Sequence, residues 1–219
     1  MTFDPYFIIN NIGVLVDGAA MTVFVSGLSI LLGVVLGMLM SFALISQNPL
    51  IRAAARCYVS FFRGTPLLTQ LLLAFYVLPP LVGLDAPPLA AAIFAITLNT
   101  TAFQAEIYRG GLAVIPPGQM EAARMLGMSI WQARRRIIVP QLLFRVLPSI
   151  VNEITIIVKN SSLVSVIAVT ELMRVSQQLA AAAFRPAEAY LAAAIGYMII
   201  TTCITFAGSV IERRLASRG

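Results

Sequence analysis

The stretch EAARMLG at residues 121–127, followed nine residues later by IIVP at residues 137–140, lies in the longest polar interval of an otherwise apolar chain. Glutamate and alanine are ordinary helix formers, so the three letters EAA carry little information by themselves. The information lies in the full spacing from the glutamate through the glycine to the proline, and in its place between long apolar segments. This spacing indicates a structured loop between membrane-spanning elements.

The composition is that of a membrane protein. The chain has 219 residues, of which 59% are hydrophobic and 11% charged, whereas a soluble domain has roughly 25% charged residues. Several segments run for about 20 residues without a charge, enough to cross the hydrocarbon core of about 30 Å. The net charge of +6 does not indicate nucleic acid, because arginine collects in the cytoplasmic loops of membrane proteins and no basic run is interleaved with aromatic residues.

Several chemistries are excluded by residues that the sequence lacks. Without any histidine, histidine-based triads and most zinc sites are excluded, and we predict neither a catalytic residue nor a metal site. There is no G-x-x-x-x-G-K-[ST] loop for ATP phosphates, since the single lysine, Lys159, follows no glycine loop. Cys57 and Cys203 lie in or beside apolar segments without a CxxC spacing, so we expect small buried hydrophobes. The first ten residues have no positive region, which argues against a secretory signal peptide.

The apolar segments predict an all-α membrane protein with five spans in a single domain, residues 1–219. The spans are expected at about 20–46, 57–79, 88–108, 138–158 and 187–211, with a polar loop at 110–137 between the third and the fourth. The small residues Gly27, Gly33 and Gly37 on the first span allow close helix packing. The segment 161–183 is apolar but too broken for a confident span.

The arginines predict the orientation of these spans. Arginines cluster between spans one and two, between spans three and four, and after span five: Arg52, Arg56, Arg109, Arg124, Arg134, Arg135, Arg136, Arg213, Arg214 and Arg218. With five spans these three segments share one side. The positive-inside rule then makes the amino terminus external and the carboxy terminus cytoplasmic.

The polar loop is expected to hold one helix, from Gln119 to Arg135, after the breaker IPPG at 115–118. Its apolar stripe has helical spacing and consists of Ala122, Met125, Leu126, Ser129 and Ile130. Glu121 suits the positive end of the helix dipole. Gly127 costs roughly 1 kcal/mol inside a helix, which favours a break, a turn or a close backbone approach there. The alternative is an amphipathic helix on the lipid surface, with Arg134–Arg136 reaching phosphates.

The loop resembles the EAA loop of ABC importer permeases, whose pattern is E-A-A, three residues, G, nine residues and I-x-L-P; only Val139 departs from it. FRGTPLL at 62–68, NTTAFQAE at 99–106 with RGG at 109–111, and KNSSL at 159–163 resemble segments of polar amino-acid permeases. Phe103 replaces a tyrosine, and Asn160 stands where an acid is common. The resemblance runs from about Gly18 to Arg214.

This resemblance implies a type I importer permease for polar L-amino acids in a bacterial inner membrane, surrounded by lipid. Such permeases form half of a translocation pathway and pair with a second permease subunit, identical or homologous. Two cytoplasmic ATPases, which bind ATP and magnesium, and an external substrate-binding protein complete the machine, so this chain itself would hold no cofactor. The residues expected to contact the ATPase are Glu121, Ala122, Ala123, Arg124 and Gly127.

Polar groups inside the predicted spans are the candidates for binding substrate. Asn99 lies near the middle of span three, and Glu153 lies well inside span four. An uncompensated carboxylate there costs about 2.5–3.5 kcal/mol, so Glu153 must face water or a cation. The α-ammonium of an amino acid would suit it. The alternative is an internal pair with Arg145 or Lys159, of which Arg145 is too distant along the same helix for an ordinary contact.

Asn160, Ser161 and Ser162 have the composition of a helix start at membrane depth. Free N–H groups there could hold an α-carboxylate. An external loop capped only for stability is the alternative. Arg63 and Glu106, near span ends, are interpreted as structural or gating charges.

Two other classes of membrane protein compete with this interpretation. A secondary transporter would usually contain an internal repeat of spans, which is not visible in this sequence. A membrane-embedded enzyme would need a nucleophile or a metal cluster. Co-purification with an ATPase would separate these classes.

Overall fold

The computed structural model describes residues 4–83 and 85–216, and the regular structure in these ranges is helical. The helices follow in the order α1 Pro5–Asn10, α2 Ile12–Leu44, α3 Pro49–Gly64, α4 Leu67–Val82, α5 Pro88–Ala113, α6 Gly118–Met125, α7 Ile130–Ile167, α8 Leu172–Ala183 and α9 Pro186–Ala216. π-Helical turns interrupt α4 at Leu73–Val77 and α7 at Arg134–Ile138, and α7 ends in a 3-10 segment, Ser161–Ile167. The predicted all-α architecture is confirmed.

Among the described residues, four helices are long and apolar enough to cross a membrane: α2, α5, α7 and α9. A fifth crossing exists if α3 and α4 count as one span, although these two helices meet at 108°. The segment predicted as the span 57–79 is therefore not one continuous helix. α3 ends at Gly64, and Thr65 is extended, with φ −121° and ψ 147°. Proline disfavours the helical conformation in the residue before it, so Pro66 forces the break.

A face of small residues on α2 packs closely against α5. A Cβ atom added at Gly33 would lie 2.6 Å from the side chain of Thr100, and one at Gly37 would lie 2.5 Å from the Cβ of Gln104. Real side chains do not approach so closely, so only glycine fits at both positions. The close packing that the sequence predicts is thus confirmed at Gly33 and Gly37. The prediction was wrong at Gly27, where nothing lies within 4 Å of an added Cβ atom.

The bundle centre lies where α2, α4, α5 and α7 meet. Its fully buried side chains include Val25, Leu71, Ile96, Ile157 and Val164. Cys57 and Cys203, in contrast, lie on exposed faces, so the prediction that they are buried was wrong. Lipid tails are as apolar as a protein interior, and hydrophobic character alone does not decide which of the two a side chain meets.

A buried carboxylate fixes the start of α8. Glu171 accepts hydrogen bonds from the backbone N–H groups of Met173 and Arg174, at 3.0 and 2.9 Å. It also accepts from the Thr22 hydroxyl at 3.2 Å and from the Tyr197 hydroxyl. Because Thr22 is on α2 and Tyr197 is on α9, this single carboxylate ties α8 to two membrane-spanning helices.

Candidate translocation cleft and coupling loop

The EAA loop contains two helices rather than the single helix expected from Gln119 to Arg135. α6 ends in a Schellman motif: the N–H of Met128 donates to the carbonyl of Ala123 at 3.1 Å, and the N–H of Gly127 donates to that of Arg124 at 2.9 Å. Gly127 has φ +74°, a conformation that glycine adopts without strain. The prediction of one helix was wrong, and the helix break predicted at Gly127 is confirmed.

The second helix of the loop has its own cap. The N–H of Gln132 donates to the Ser129 hydroxyl at 3.2 Å, and the N–H of Ser129 donates to the Gln132 side chain at 2.9 Å. This reciprocal pair is a capping box. Ser129 therefore starts a helix and does not belong to an apolar stripe, which corrects the stripe predicted across the whole loop.

The two alanines of the motif face opposite ways. Ala123 is buried, while Glu121, Ala122, Arg124 and Gly127 are exposed. Large apolar side chains beside them are also exposed, to 89% for Met125, 79% for Leu126 and 69% for Trp131. We call these three residues the loop patch. Trp131 was missed in the sequence because the expected continuous helix put it off the apolar stripe.

Glu153 is buried on α7, and among the described residues none donates a hydrogen bond to it. The charged group that attracts its carboxylate is the guanidinium of Arg63 on α3. Neither partner considered from the sequence is engaged with it: Arg145 donates to the carbonyl of Val114 at 3.3 Å, and Lys159 is exposed. The positive charge that acts on the buried carboxylate thus belongs to another helix.

Arg63 belongs to a polar cleft between α3 and α5. The cleft is lined by Leu44, Arg56, Val59, Ser60, Arg63, Gly64, Phe103 and Glu106. Within it, Arg109 binds Glu106 through two guanidinium nitrogens, at 2.8 and 3.1 Å. Arg63 approaches the same carboxylate only to 3.7 Å and lies over the ring of Phe103, 5.5 Å from its centroid. We call this set of residues the charged cleft.

Asn99 takes part in a network that holds the bend between α3 and α4. The side-chain nitrogen of Gln70 donates to the carbonyls of Phe62 and Thr65, at 2.8 and 3.0 Å, and to the Thr65 hydroxyl at 2.9 Å. The amide nitrogen of Asn99 donates to the Gln70 oxygen at 2.9 Å. Asn99 therefore keeps its carbonyl oxygen and one N–H group for a substrate contact.

The helix start expected at Asn160–Ser162 is not present. α7 continues through this segment, and the N–H of Ser161 bonds to carbonyls of the preceding turn. The hydroxyls of Ser161 and Ser162 donate back to the carbonyls of Val158 and Lys159, both at 2.8 Å. The proposed anion site of free N–H groups was wrong, because Ser hydroxyls can bond backward to carbonyls as readily as forward to N–H groups. The helix start lies further on, at α8, where the Glu171 carboxylate already occupies it.

A column of buried polar atoms without hydrogen-bond partners in the described part of the chain runs along α5. It consists of the hydroxyls of Thr97, Thr100 and Tyr108 and both side-chain polar atoms of Gln104. An unpaired buried polar group costs about 1–3 kcal/mol. The sequence suggested only Asn99 on this helix, since threonine and tyrosine are common in membrane spans.

The family model described as the binding-protein-dependent transport system inner membrane component matches residues 33–217. The chain belongs to this family. It is the permease subunit of an ATP-driven ABC importer and not the ATPase, which excludes the alternatives of a secondary transporter and a membrane enzyme.

Individual relatives match along nearly the whole chain. The arginine transport system permease protein ArtQ of Bacillus subtilis (strain 168) is 34% identical over 217 residues, which is 99% of each chain. The glutamine transport system permease protein GlnP of Escherichia coli (strain K12) is 37% identical over 216 residues, 98% of this chain and 99% of that one. The fold and family predicted from the EAA loop are therefore confirmed.

Solved structures agree in fold. The crystal structure of an amino acid ABC transporter with histidines matches with a TM-score of 0.88 at 34% identity, covering 98% of this chain and 100% of that one. An inward-facing structure of the MetNI methionine ABC transporter matches with a TM-score of 0.79 at 22% identity, covering 93% and 97%. The second likeness concerns the fold alone.

Proposed function

We propose that this permease carries polar L-amino acids and that Glu153 binds their α-ammonium group. The observation that carries the proposal is a buried carboxylate, Glu153, without a hydrogen-bond donor among the described residues. A carboxylate at membrane depth is costly unless a cation or water meets it. The relatives named for arginine and glutamine transport make an amino acid the expected cation.

Asn160 is the second residue proposed to face the substrate. It lies seven residues after Glu153 on α7, which is about two helical turns and places both on one face. An acid at this position would attract a cationic side chain of the substrate. The amide of Asn160 is neutral and can both donate and accept hydrogen bonds. We therefore expect neutral or broadly polar amino acids to be carried in preference to strictly cationic ones. Ser161, Ser162 and Asn99 complete the proposed pocket. The two serines keep acceptor atoms, and Asn99 keeps its carbonyl oxygen and one N–H group.

The loop patch is proposed as the binding surface for a cytoplasmic ATPase, which itself binds ATP and magnesium. The patch is surrounded by further exposed residues, Glu121, Ala122, Arg124 and Gly127, whereas Ala123 on α6 is buried. Exposed apolar side chains of this size within a polar loop are typical of a protein interface. Closure of two ATPases would bring two such loops together, one from each permease subunit, while an external substrate-binding protein delivers the amino acid.

The amino terminus is proposed to be external and Arg134–Arg136 cytoplasmic. A membrane-impermeant thiol reagent should label Asn10→Cys and leave Gln132→Cys unlabelled in cells whose outer barrier has been opened, with Cys57 and Cys203 replaced by alanine. Both test positions are exposed on this chain. The reverse labelling pattern would overturn the orientation.

The substrate proposal is tested by the ATPase activity of the reconstituted complex with arginine, glutamine and glutamate. Glu153→Gln should raise, by about tenfold or more, the half-saturating concentration of every substrate that stimulates the wild-type complex. The reason is that a hydrogen bond to a charged group contributes about 1.5–3 kcal/mol. Glu212→Gln, the same substitution near the end of α9, is the matched control. Unchanged stimulation in Glu153→Gln would reject the pocket while leaving the permease assignment intact.

A further inference from the structure

We propose that Arg63 binds the α-carboxylate of the transported amino acid, opposite Glu153. This inference rests on the proposed function, since it assumes that the substrate is an amino acid held at Glu153. The role differs from the structural or gating role that the sequence suggests for Arg63. It replaces the anion site expected at Asn160–Ser162, where the N–H groups are already bonded.

Within the charged cleft, Arg63 forms only a long ion pair with Glu106. Glu106 is bound by Arg109 through two nitrogens, the closer at 2.8 Å, whereas its single approach to Arg63 is 3.7 Å. A bidentate arginine–carboxylate pair is the stronger arrangement. Glu106 is therefore committed to Arg109, and the guanidinium of Arg63 keeps donors for another anion.

Arg63 is placed to present those donors to a ligand. Its side chain is 45% exposed and lines a cleft of about 550 Å³, within the usual range for small-molecule sites. The ring of Phe103 lies under the guanidinium, 5.5 Å away at its centroid, and favours one orientation of the fork. Arginine binds carboxylates in this planar, two-donor manner better than lysine does.

Glu153 supplies the negative charge that complements Arg63. Arg63 is the charged group whose positive charge acts on the Glu153 carboxylate. Glu153 is buried and has no donor among the described residues. A buried carboxylate and a partly free guanidinium whose charge acts on it match the two charges of one zwitterion, with the ammonium at Glu153 and the carboxylate at Arg63.

The test compares amino acids with amines that lack only the carboxylate. The purified permease–ATPase complex, in lipid nanodiscs without binding protein or ATP, is titrated with radiolabelled glutamine and arginine, and with their decarboxylated counterparts 4-aminobutanamide and agmatine. Arg63→Gln should weaken binding of the amino acid by about tenfold or more and leave the matching amine unchanged. The affinity of Arg63→Lys for the amino acid should lie between those of the wild type and Arg63→Gln, because lysine keeps the positive charge and loses the planar pair of donors. Arg52→Gln, on the same helix but outside the cleft, is the control.

The outcomes separate this inference from the proposed function. An equal loss for amine and amino acid in Arg63→Gln, or no loss for either, would overturn the role of Arg63, even where Glu153→Gln still weakens both ligands. A wild type that binds no amino acid under these conditions would instead overturn the pocket as a whole. Should Arg63→Gln not assemble, Arg63→Lys decides: affinity for the amino acid equal to wild type contradicts the two-donor contact.

Discussion

Replacing Gly127 with alanine should loosen the turn between α6 and α7 without any steric clash. Gly127 has φ +74°, and nothing lies within 4 Å of a Cβ atom added there. The cost therefore comes from the backbone alone. An L-residue with a side chain loses roughly 1–2 kcal/mol in the left-handed conformation. This lowers the ratio of formed to unformed turn by a factor of about 5–30.

Two measurements should register this loss. Hydrogen exchange of the Met128 amide, which donates to Ala123 in the Schellman motif, should accelerate by the same factor of about 5–30 if the turn opens locally. Substrate-stimulated ATPase activity of the assembled complex should fall in parallel, because the turn positions the loop patch. Gly127→Asn should lose less than Gly127→Ala, since asparagine tolerates the left-handed region better.

Gly110→Ala is the matched control for this experiment. Gly110 lies within α5, has no positive φ, and a Cβ atom there would also meet nothing within 4 Å. Its replacement should be neutral or stabilising by up to about 1 kcal/mol, the helix propensity difference. Unchanged exchange at Met128 in Gly127→Ala would refute the role of the positive φ. Equal losses in the alanine and asparagine variants would point to the added atoms at the ATPase contact instead.

Two further predictions concern the packing of α2 and α5. Gly37→Ala should lower the free energy of unfolding of the detergent-solubilised protein by about 1–3 kcal/mol, because the added Cβ atom would lie 2.5 Å from that of Gln104. Gly27→Ala, on the same helix with open space around it, should leave it unchanged. Equal melting temperatures for the two variants would contradict the close approach at Gly37. Tyr108→Phe should leave that stability unchanged or raise it by about 1 kcal/mol, since its buried hydroxyl has no partner among the described residues; a clear loss would mean that the hydroxyl is hydrogen-bonded in the membrane.

Membrane spans were predictable because the length of an apolar run is a property of the sequence alone. The 108° bend between α3 and α4 was missed, since a hydropathy window adds residues without regard to the direction of the helix axis. Its local signal was present in Gly64, Thr65 and Pro66. What holds the bend could not be predicted, because Gln70 is fixed by Asn99 from α5.

Helix starts at membrane depth were harder to predict than spans. Asn160, Ser161 and Ser162 have the composition of a cap, yet the two serine hydroxyls bond backward and α7 continues. The true cap is Glu171, which is outside the residue types preferred at this position. Its carboxylate is held by Thr22 and Tyr197 from distant parts of the chain. Local composition thus gave the wrong helix start because tertiary hydrogen bonds fix the right one.

One of the two charged residues of the candidate substrate site could be predicted from the sequence, and their pairing could not. Glu153 could be singled out from its cost in hydrocarbon, but its electrostatic partner could not, because Arg63 lies on another helix. Arg63 occupies the last turn of α3, immediately before the bend that Gln70 and Asn99 hold. That bend therefore helps to fix the position of the residue whose charge acts on Glu153. Gln70, which is not among the proposed substrate contacts, would in this way help to set the geometry between the two charges proposed to bind the substrate.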